Sequence, residues 1–206
     1  MYIMNMKKHA SKYRKPISRL FFIIVLFFIL FTQYSWQPNS ILDIVVETIG
    51  FILVVLCSLG RIWSGLYIEG KKNNELVTKG PYSMVRNPLY LFSFLGALGL
   101  GLSSKNLIVL LLLVGFFALY YPLVIKAEEE RLQELYQEKF LSYKKSTPRF
   151  MPDFSKYYTE AKYLVNVKRY IKSFLDVMWF FWFYIFLRII EVMHINGIIP
   201  VFYKIP

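Results

Sequence analysis

Hydrophobic positions gather into five runs along the chain, and the polar stretches between them alternate in character. LFFIIVLFFILF starts at Leu20, and the aromatic cluster Gln33, Tyr34 and Trp36 predicts an uncleaved first transmembrane helix ending near Trp36. After the turn Pro38-Asn39-Ser40, a second apolar run extends from Ile41 to about Trp63, long enough to cross a hydrocarbon core of roughly 30 Å. Asp43 and Glu47 stand in its opening turns, where acidic side chains favour the positive end of the helix dipole. The third run, YLFSFLGALGLGL from Tyr90, is short for a span, and Gly96, Gly99 and Gly101 suit close helix packing rather than lipid contact. Ser103-Ser104-Lys105-Asn106 then predicts a tight turn into the fourth run, Leu107 to Ile125, so that the two form a helical hairpin.

Directly after the fourth run, Leu132, Leu135, Tyr136 and Phe140 recur at helical spacing among charges, which predicts an amphipathic helix outside or on the membrane. The prolines of Thr147-Pro148-Arg149-Phe150-Met151-Pro152 end it. A second basic, amphipathic stretch covers Tyr157 to Lys172, and a fifth apolar run follows from Phe174 to Met193. The predicted fold is all-α: a polytopic integral membrane bundle of about five transmembrane helices with a cytoplasmic amphipathic helix, in one domain over residues 1–206.

Composition agrees, with 56% hydrophobic residues and 19% aromatics, more than a soluble surface calls for. The net charge of +12 at first suggests phosphate binding. Its distribution points elsewhere. Of 25 cations, six precede the first run, in a basic tail over residues 1–19; five fall between Arg61 and Arg86, and eleven between Lys126 and Lys172, while Lys105 stands alone in the intervening turns. That alternation follows the positive-inside rule, places the N-terminus in the cytoplasm, and removes nucleic acid as a partner. The single cysteine, Cys57, lies in an apolar run and reads as a small buried hydrophobe, while His9 and His194 are too few for a His-rich metal site. Short loops and a Lys/Ile-rich composition suggest a bacterial inner membrane, with the oligomeric state left open.

Two polar segments therefore emerge at one mouth of the bundle. In VTKGPYSMVRNPLY, Gly80-Pro81 sets a turn and Pro88 keeps Asn87 out of helical geometry, so a pinned backbone presents Tyr82, Asn87 and Tyr90. Such a set suits a purine ring and a neighbouring cation better than a phosphate, because no glycine-rich cradle is present. Glu128, Glu129 and Glu130 close the fourth run at the end where the helix dipole disfavours them, so at least one is suited to holding an ammonium or a sulfonium, while Glu130 reads as the start of a solvated helix.

GRIWSGLY, ELVTKGPYSMVRNPLYL and EEERLQELYQEKFLSYKKSTPRFMP together resemble the isoprenylcysteine carboxyl methyltransferase family and its bacterial relatives among the membrane methyltransferases, over residues 59–152. The resemblance implies S-adenosylmethionine bound at the cytoplasmic membrane face, a cavity open to lipid, and a lipid or lipophilic small-molecule acceptor. Carried over position by position, it implies cofactor contacts at Asn74, Glu75, Leu76 and Val77, at Tyr82, at Asn87, Pro88, Leu89 and Tyr90, and at Glu128. Catalytic and acceptor-side candidates are Glu128, Arg61, Arg86, Arg131 and Arg188. The chain departs from the family pattern twice. Asn87 stands where members usually carry His, and Val124 replaces an arginine that pairs with the substrate carboxylate in the prenylcysteine enzymes. The acceptor is thereby left open among carboxylate, phosphate, amine and thiol. Arg188, Glu191 and His194, at i, i+3 and i+6 of the last helix, read either as a buried polar cluster or as a helix end reaching the interface. Two other readings compete: a nicotinamide-dependent membrane reductase resembling the sterol reductases, and a non-catalytic membrane scaffold.

Overall fold

The computed structural model describes residues 19–71 and 74–205. The tail cations from Lys7 to Lys15, His9 and Lys72 lie outside them. All five apolar runs are helical: α1 (Arg19–Phe31), α2 (Ile41–Ile68), α4 (Pro88–Ser103), α5 (Leu107–Ser146) and α6 (Val167–Ile195), with a single-turn helix α3 (Pro81–Met84) before α4. Of these, α2, α5 and α6 are long and apolar enough to cross a membrane, and α1 and α4 are shorter apolar helices. The chain is a helical membrane bundle, with outward faces carrying exposed apolar side chains such as Leu56, Leu59, Trp179 and Trp182.

Capping fixes the helix starts. Ser40 accepts the Asp43 N–H at the start of α2, Asn106 accepts the Ile108 and Val109 N–H groups at α5, and Asn166 accepts from Arg169 at α6. Pro88 opens α4, where its missing N–H costs no helical hydrogen bond. The predicted α4–α5 hairpin forms, with Lys105 taking a left-handed conformation in its turn.

Three expectations are corrected. Helix α1 stops at Phe31 rather than near Trp36, because the chain passes into a short strand β1 (Thr32–Tyr34) that pairs in parallel with β2 (Tyr203–Ile205). Polar side chains and short length hid both strands from the periodicity. The amphipathic segment is not a separate helix either, since α5 runs unbroken through Ile125 and the three glutamates to a break at Gln137, which has φ 42° and ψ −118°. The stretch Tyr157 to Lys172 also divides: residues up to Asn166 are irregular, and its basic end forms the first turns of α6.

Small residues bring α2 and α4 together, as the glycine pattern of the third run anticipates. A Cβ on Gly99 would sit 2.7 Å from the Gly50 carbonyl oxygen, and one on Gly96 2.6 Å from the Cys57 sulfur. Gly50 lies against Ser103, and Gly60 against Phe92, so α2 and α4 run antiparallel. The bundle consequently has two distinct ends. One gathers the C-terminus of α2 and the N-termini of α4 and α6. The other gathers β1, the N-terminus of α2, the α4–α5 turn and the C-terminus of α6.

Candidate functional site

The cation-rich end holds a cavity of about 310 Å³, within the size range of small-molecule pockets. Its roof is the segment before α4. Gly80 takes φ 60°, and a Cβ there would collide with the Tyr67 ring at 2.3 Å, so glycine is required both by its backbone and by its neighbour. The Gly80 N–H donates to the Tyr158 carbonyl at 2.8 Å, the Arg86 N–H to the Pro148 carbonyl at 2.9 Å, and the Asp153 N–H to the Met84 carbonyl at 3.0 Å. The GPYSMVRNP stretch is thus sewn to residues 148–158.

Glu129 completes the attachment. Buried on α5, its Oε1 accepts from Arg86 Nε at 3.2 Å and from Asn87 Nδ2 at 3.2 Å, with Arg149 Nε at 3.5 Å. The Arg86 fork also donates to the Lys144 and Thr147 carbonyls, at 2.6 Å and 3.2 Å. Asn87, standing where a family member carries His, gives its second bond to the Arg149 carbonyl. Its role here is to tie the α4 N-terminus to α5, which an amide does without charge.

Glu128, one residue earlier, turns into the cavity and accepts the Tyr90 hydroxyl at 2.7 Å. Tyr90 in turn meets Tyr121 edge-on, at 5.5 Å between ring centres. The two motifs read from the sequence therefore converge at one place. Tyr82 lies against the same cavity, with its carbonyl accepting the Tyr143 hydroxyl at 2.7 Å and its own hydroxyl buried without a hydrogen-bond partner. Burial pushes the Tyr82 hydroxyl well above its ordinary pKa, so it stays protonated as a donor.

Of the residues anticipated, Arg61, Glu75, Leu76, Val77, Tyr82, Arg86, Asn87, Pro88, Leu89, Tyr90, Glu128 and Arg131 line the cavity. Asn74 does not line it; its backbone N–H closes a turn onto the Lys71 carbonyl at 2.9 Å. Arg188 is not brought there either, because the antiparallel packing carries it to the opposite end, where it pairs with Glu47 at 3.0 Å and with Glu191. Sequence reasoning missed Ser93, Tyr121, Glu69 and Leu132 as lining residues, and Glu129 as the tether. Spacing carried part of that signal: Tyr121 precedes Glu128 by seven residues, two turns along one helix face. A wider, open cleft of about 700 Å³ lies behind Arg86 among Lys144, Lys145 and Lys156, and shares only Arg86 with the cavity.

A family model described as phospholipid methyltransferase matches residues 44–139, from the start of α2 to beyond the Gln137 break. Similarity extends further in two bacterial proteins. The cobalt-zinc-cadmium resistance protein CzcN of Cupriavidus metallidurans is 35% identical over 189 residues, covering 92% of this chain and 87% of its own. The nickel-cobalt-cadmium resistance protein NccN of Alcaligenes xylosoxydans xylosoxydans is 35% identical over 196 residues, covering 95% and 91%. This chain belongs to the phospholipid methyltransferase family. It falls in the isoprenylcysteine carboxyl methyltransferase-like group that its motifs resemble. No solved structure matches it. The segment matched to the phospholipid methyltransferase model contains Glu75, Tyr82, Asn87, Tyr90 and Glu128, while the 148–158 stretch that holds their backbone lies beyond it.

Proposed function

We propose that this protein transfers a methyl group from S-adenosylmethionine to a lipid or lipophilic acceptor at the cytoplasmic face of a bacterial inner membrane. The observation carrying the proposal is the Tyr90–Glu128 contact inside a cavity roofed by the GPYSMVRNP segment. The residues suit the cofactor. Glu69, Glu75 and Glu128 give the cavity a negative side for a cation, Tyr90 and Tyr121 offer aromatic faces, and the unpartnered Tyr82 hydroxyl is a buried donor in need of an acceptor. When bound, S-adenosylmethionine supplies an electrophilic methyl on a sulfonium.

The chain's own contribution is placement in a site shielded from water. Tyr90 holds the Glu128 carboxylate in one orientation, Glu129 fixes the roof through Arg86 and Asn87, and Leu89, Leu132 and Tyr121 limit water in the cavity. Clustering of cations at this end supports the cytoplasmic placement through the positive-inside rule. The two relatives are named as metal resistance proteins, which supports a reaction that serves metal resistance, and we take its acceptor to be a membrane component.

Calorimetry on the purified full chain in detergent tests the reading, followed by tritiated methyl transfer into a total membrane lipid extract. Binding heat for S-adenosylmethionine together with label in the lipid fraction is expected. An intact fold with no heat for S-adenosylmethionine overturns the proposal, and stabilisation by NADPH alone would replace it with a reductase.

A further inference from the structure

The open cleft behind Arg86 has walls of two kinds. On one side Arg86, Lys144, Lys145 and Lys156 face a single carboxylate, Asp153. That carboxylate is already engaged: it accepts the Ser155 N–H at 3.2 Å and the Ser155 hydroxyl at 2.6 Å, and meets the Lys156 ammonium at 3.2 Å. Arg86 has Glu129 as its counter-charge, outside the cleft. No ion pair among the described residues involves Lys144 or Lys145, and both are exposed. The cleft therefore carries a surplus of positive charge. The rest of its wall includes Met151 and Phe154, which are 80% and 74% exposed. Large apolar side chains held open beside unpaired cations are costly in water and suit the boundary between lipid headgroups and acyl chains.

The packing of Phe150 sets the depth of this wall. Its ring meets Phe94 edge-on at 6.4 Å between centres, and Phe94 meets Phe117 at 5.0 Å. Phe94 stands about 9 Å along α4 from Pro88, and Phe117 lies inside the apolar run of α5. Residues 148–152 thus fold back from the end of α5 and reach down the side of α4 to the level of the spans' own apolar side chains. Met151 follows Phe150 directly and is left facing outward at that level. The lysines stay higher: Lys144 and Lys145 belong to the last turn of α5, and Lys156 Nζ donates to the Ser146 carbonyl at 2.7 Å. Cations above an apolar lip reproduce, in complement, the layering of an anionic phospholipid.

We propose that this cleft is a binding site for an anionic phospholipid of the leaflet at the cation-rich end, with Lys144, Lys145 and Lys156 on its phosphate and Met151 and Phe154 against its acyl chains. A free phosphate would use the lysines alone and leave the two apolar side chains in water. The cleft shares only Arg86 with the cavity, so this lipid is held apart from the methyl acceptor, and the inference does not depend on the methyl-transfer reading.

Native mass spectrometry of the full chain in detergent tests it, with phosphatidylglycerol and phosphatidylcholine of identical acyl chains, glycerol phosphate and poly-glutamate as probes. Wild-type protein is expected to bind phosphatidylglycerol about tenfold or more tightly than phosphatidylcholine, as several lysines near one anionic headgroup predict, and glycerol phosphate more than about tenfold more weakly than phosphatidylglycerol. The triple variant Lys144→Gln, Lys145→Gln, Lys156→Gln should lose most of the headgroup preference, whereas Lys168→Gln, Arg169→Gln, Lys172→Gln, which removes the same charge from the exposed start of α6, should keep it. Phe154→Ser should weaken phosphatidylglycerol about threefold or more. Equal wild-type binding of the two lipids overturns the inference and needs no variant to fold. Equal loss in the two triple variants also overturns it, because general surface charge would then account for the preference. Glycerol phosphate binding as tightly as phosphatidylglycerol would make the cleft a phosphate site, and poly-glutamate displacing the lipid at lower concentration would make it a surface for an acidic protein; either result replaces the lipid.

Discussion

The two ends of the bundle both bury charge, and they treat it in opposite ways. At the end away from the cavity, Lys105 is only 2% exposed, yet its ammonium meets Glu191 at 2.6 Å, Asp43 at 2.7 Å and Glu47 at 3.3 Å. Arg188 joins Glu47 and Glu191, the Tyr34 hydroxyl donates to Glu191 at 2.9 Å, and Trp36 Nε1 donates to Asp43 at 3.0 Å. The void beside this cluster is about 20 Å³, too small for a ligand. At the other end, Arg61 and Tyr82 keep unmet buried donors beside about 310 Å³ of space. Saturated charge ties β1, α2, the α4–α5 turn and α6 together as structure, and unsaturated charge beside a cavity marks a site.

Breaking the saturated end should produce the largest effect. Lys105→Met leaves three carboxylates facing one another with Arg188 alone to offset them, and is expected to cost about 3–5 kcal/mol of stability. Denaturant unfolding in detergent measures it, and a loss below about 1 kcal/mol would dissolve the contrast between the ends. The tether at the cavity end comes next. Glu129→Gln weakens the hold on Arg86 and Asn87 and should cost about 1–3 kcal/mol, with S-adenosylmethionine affinity falling alongside because the roof loosens. Unchanged affinity at reduced stability would show the roof to be held by its backbone bonds to residues 148–158 alone.

These two residues also show what was legible beforehand. The five apolar runs, the α4–α5 hairpin and the convergence of Tyr90 with Glu128 followed from run length, turn chemistry and loop charge, because each is a local signal or a sum of local signals. Lys105 appeared only as the odd cation in a turn, and Asp43 and Glu47 only as dipole partners, since their pairing depends on α2 lying antiparallel to α4 and beside α6. Arg188 was placed on the wrong side for the same reason: helical spacing groups it with Glu191 and His194 but does not say which end of the bundle receives them. His194 in fact bonds the Leu30 carbonyl at 2.8 Å, beside the cluster. Among three successive glutamates, spacing cannot decide that Glu128 faces the cavity and Glu129 the roof. That choice is made by the approach of residues 80–90 from outside the helix.

A sharper effect on ligand than on fold is expected at Glu128. Glu128→Gln keeps the shape and an acceptor for Tyr90 but removes the charge, so S-adenosylmethionine affinity should fall about tenfold, or 1.4 kcal/mol, while stability moves by less than about 0.5 kcal/mol. Calorimetry and unfolding on one preparation give both numbers. Equal losses in the two would place Glu128 with the structural acids of the other end.

Tyr82→Phe should give the smallest effect and the one with reversed sign. Its hydroxyl is buried and unpartnered, so deleting it relieves an unmet desolvation cost, and stability should rise by about 1 kcal/mol in the absence of ligand. Burial raises the Tyr82 pKa above the unfolded value of about 10, so the folded state holds its proton longer than the unfolded chain. That group's contribution is constant below about pH 10 and is lost as pH rises further, because the unfolded chain then releases a proton that the folded chain retains. Tyr82→Phe should therefore stabilise evenly between pH 6 and 9, by about the same amount, and remove the part of the alkaline loss that this hydroxyl causes. If the hydroxyl serves the cofactor, the same variant binds S-adenosylmethionine a few-fold more weakly, so stability and affinity move in opposite directions. A variant that loses both would mean that the hydroxyl has a structural partner, and the cavity end would then be built on the same rule as the Lys105 cluster.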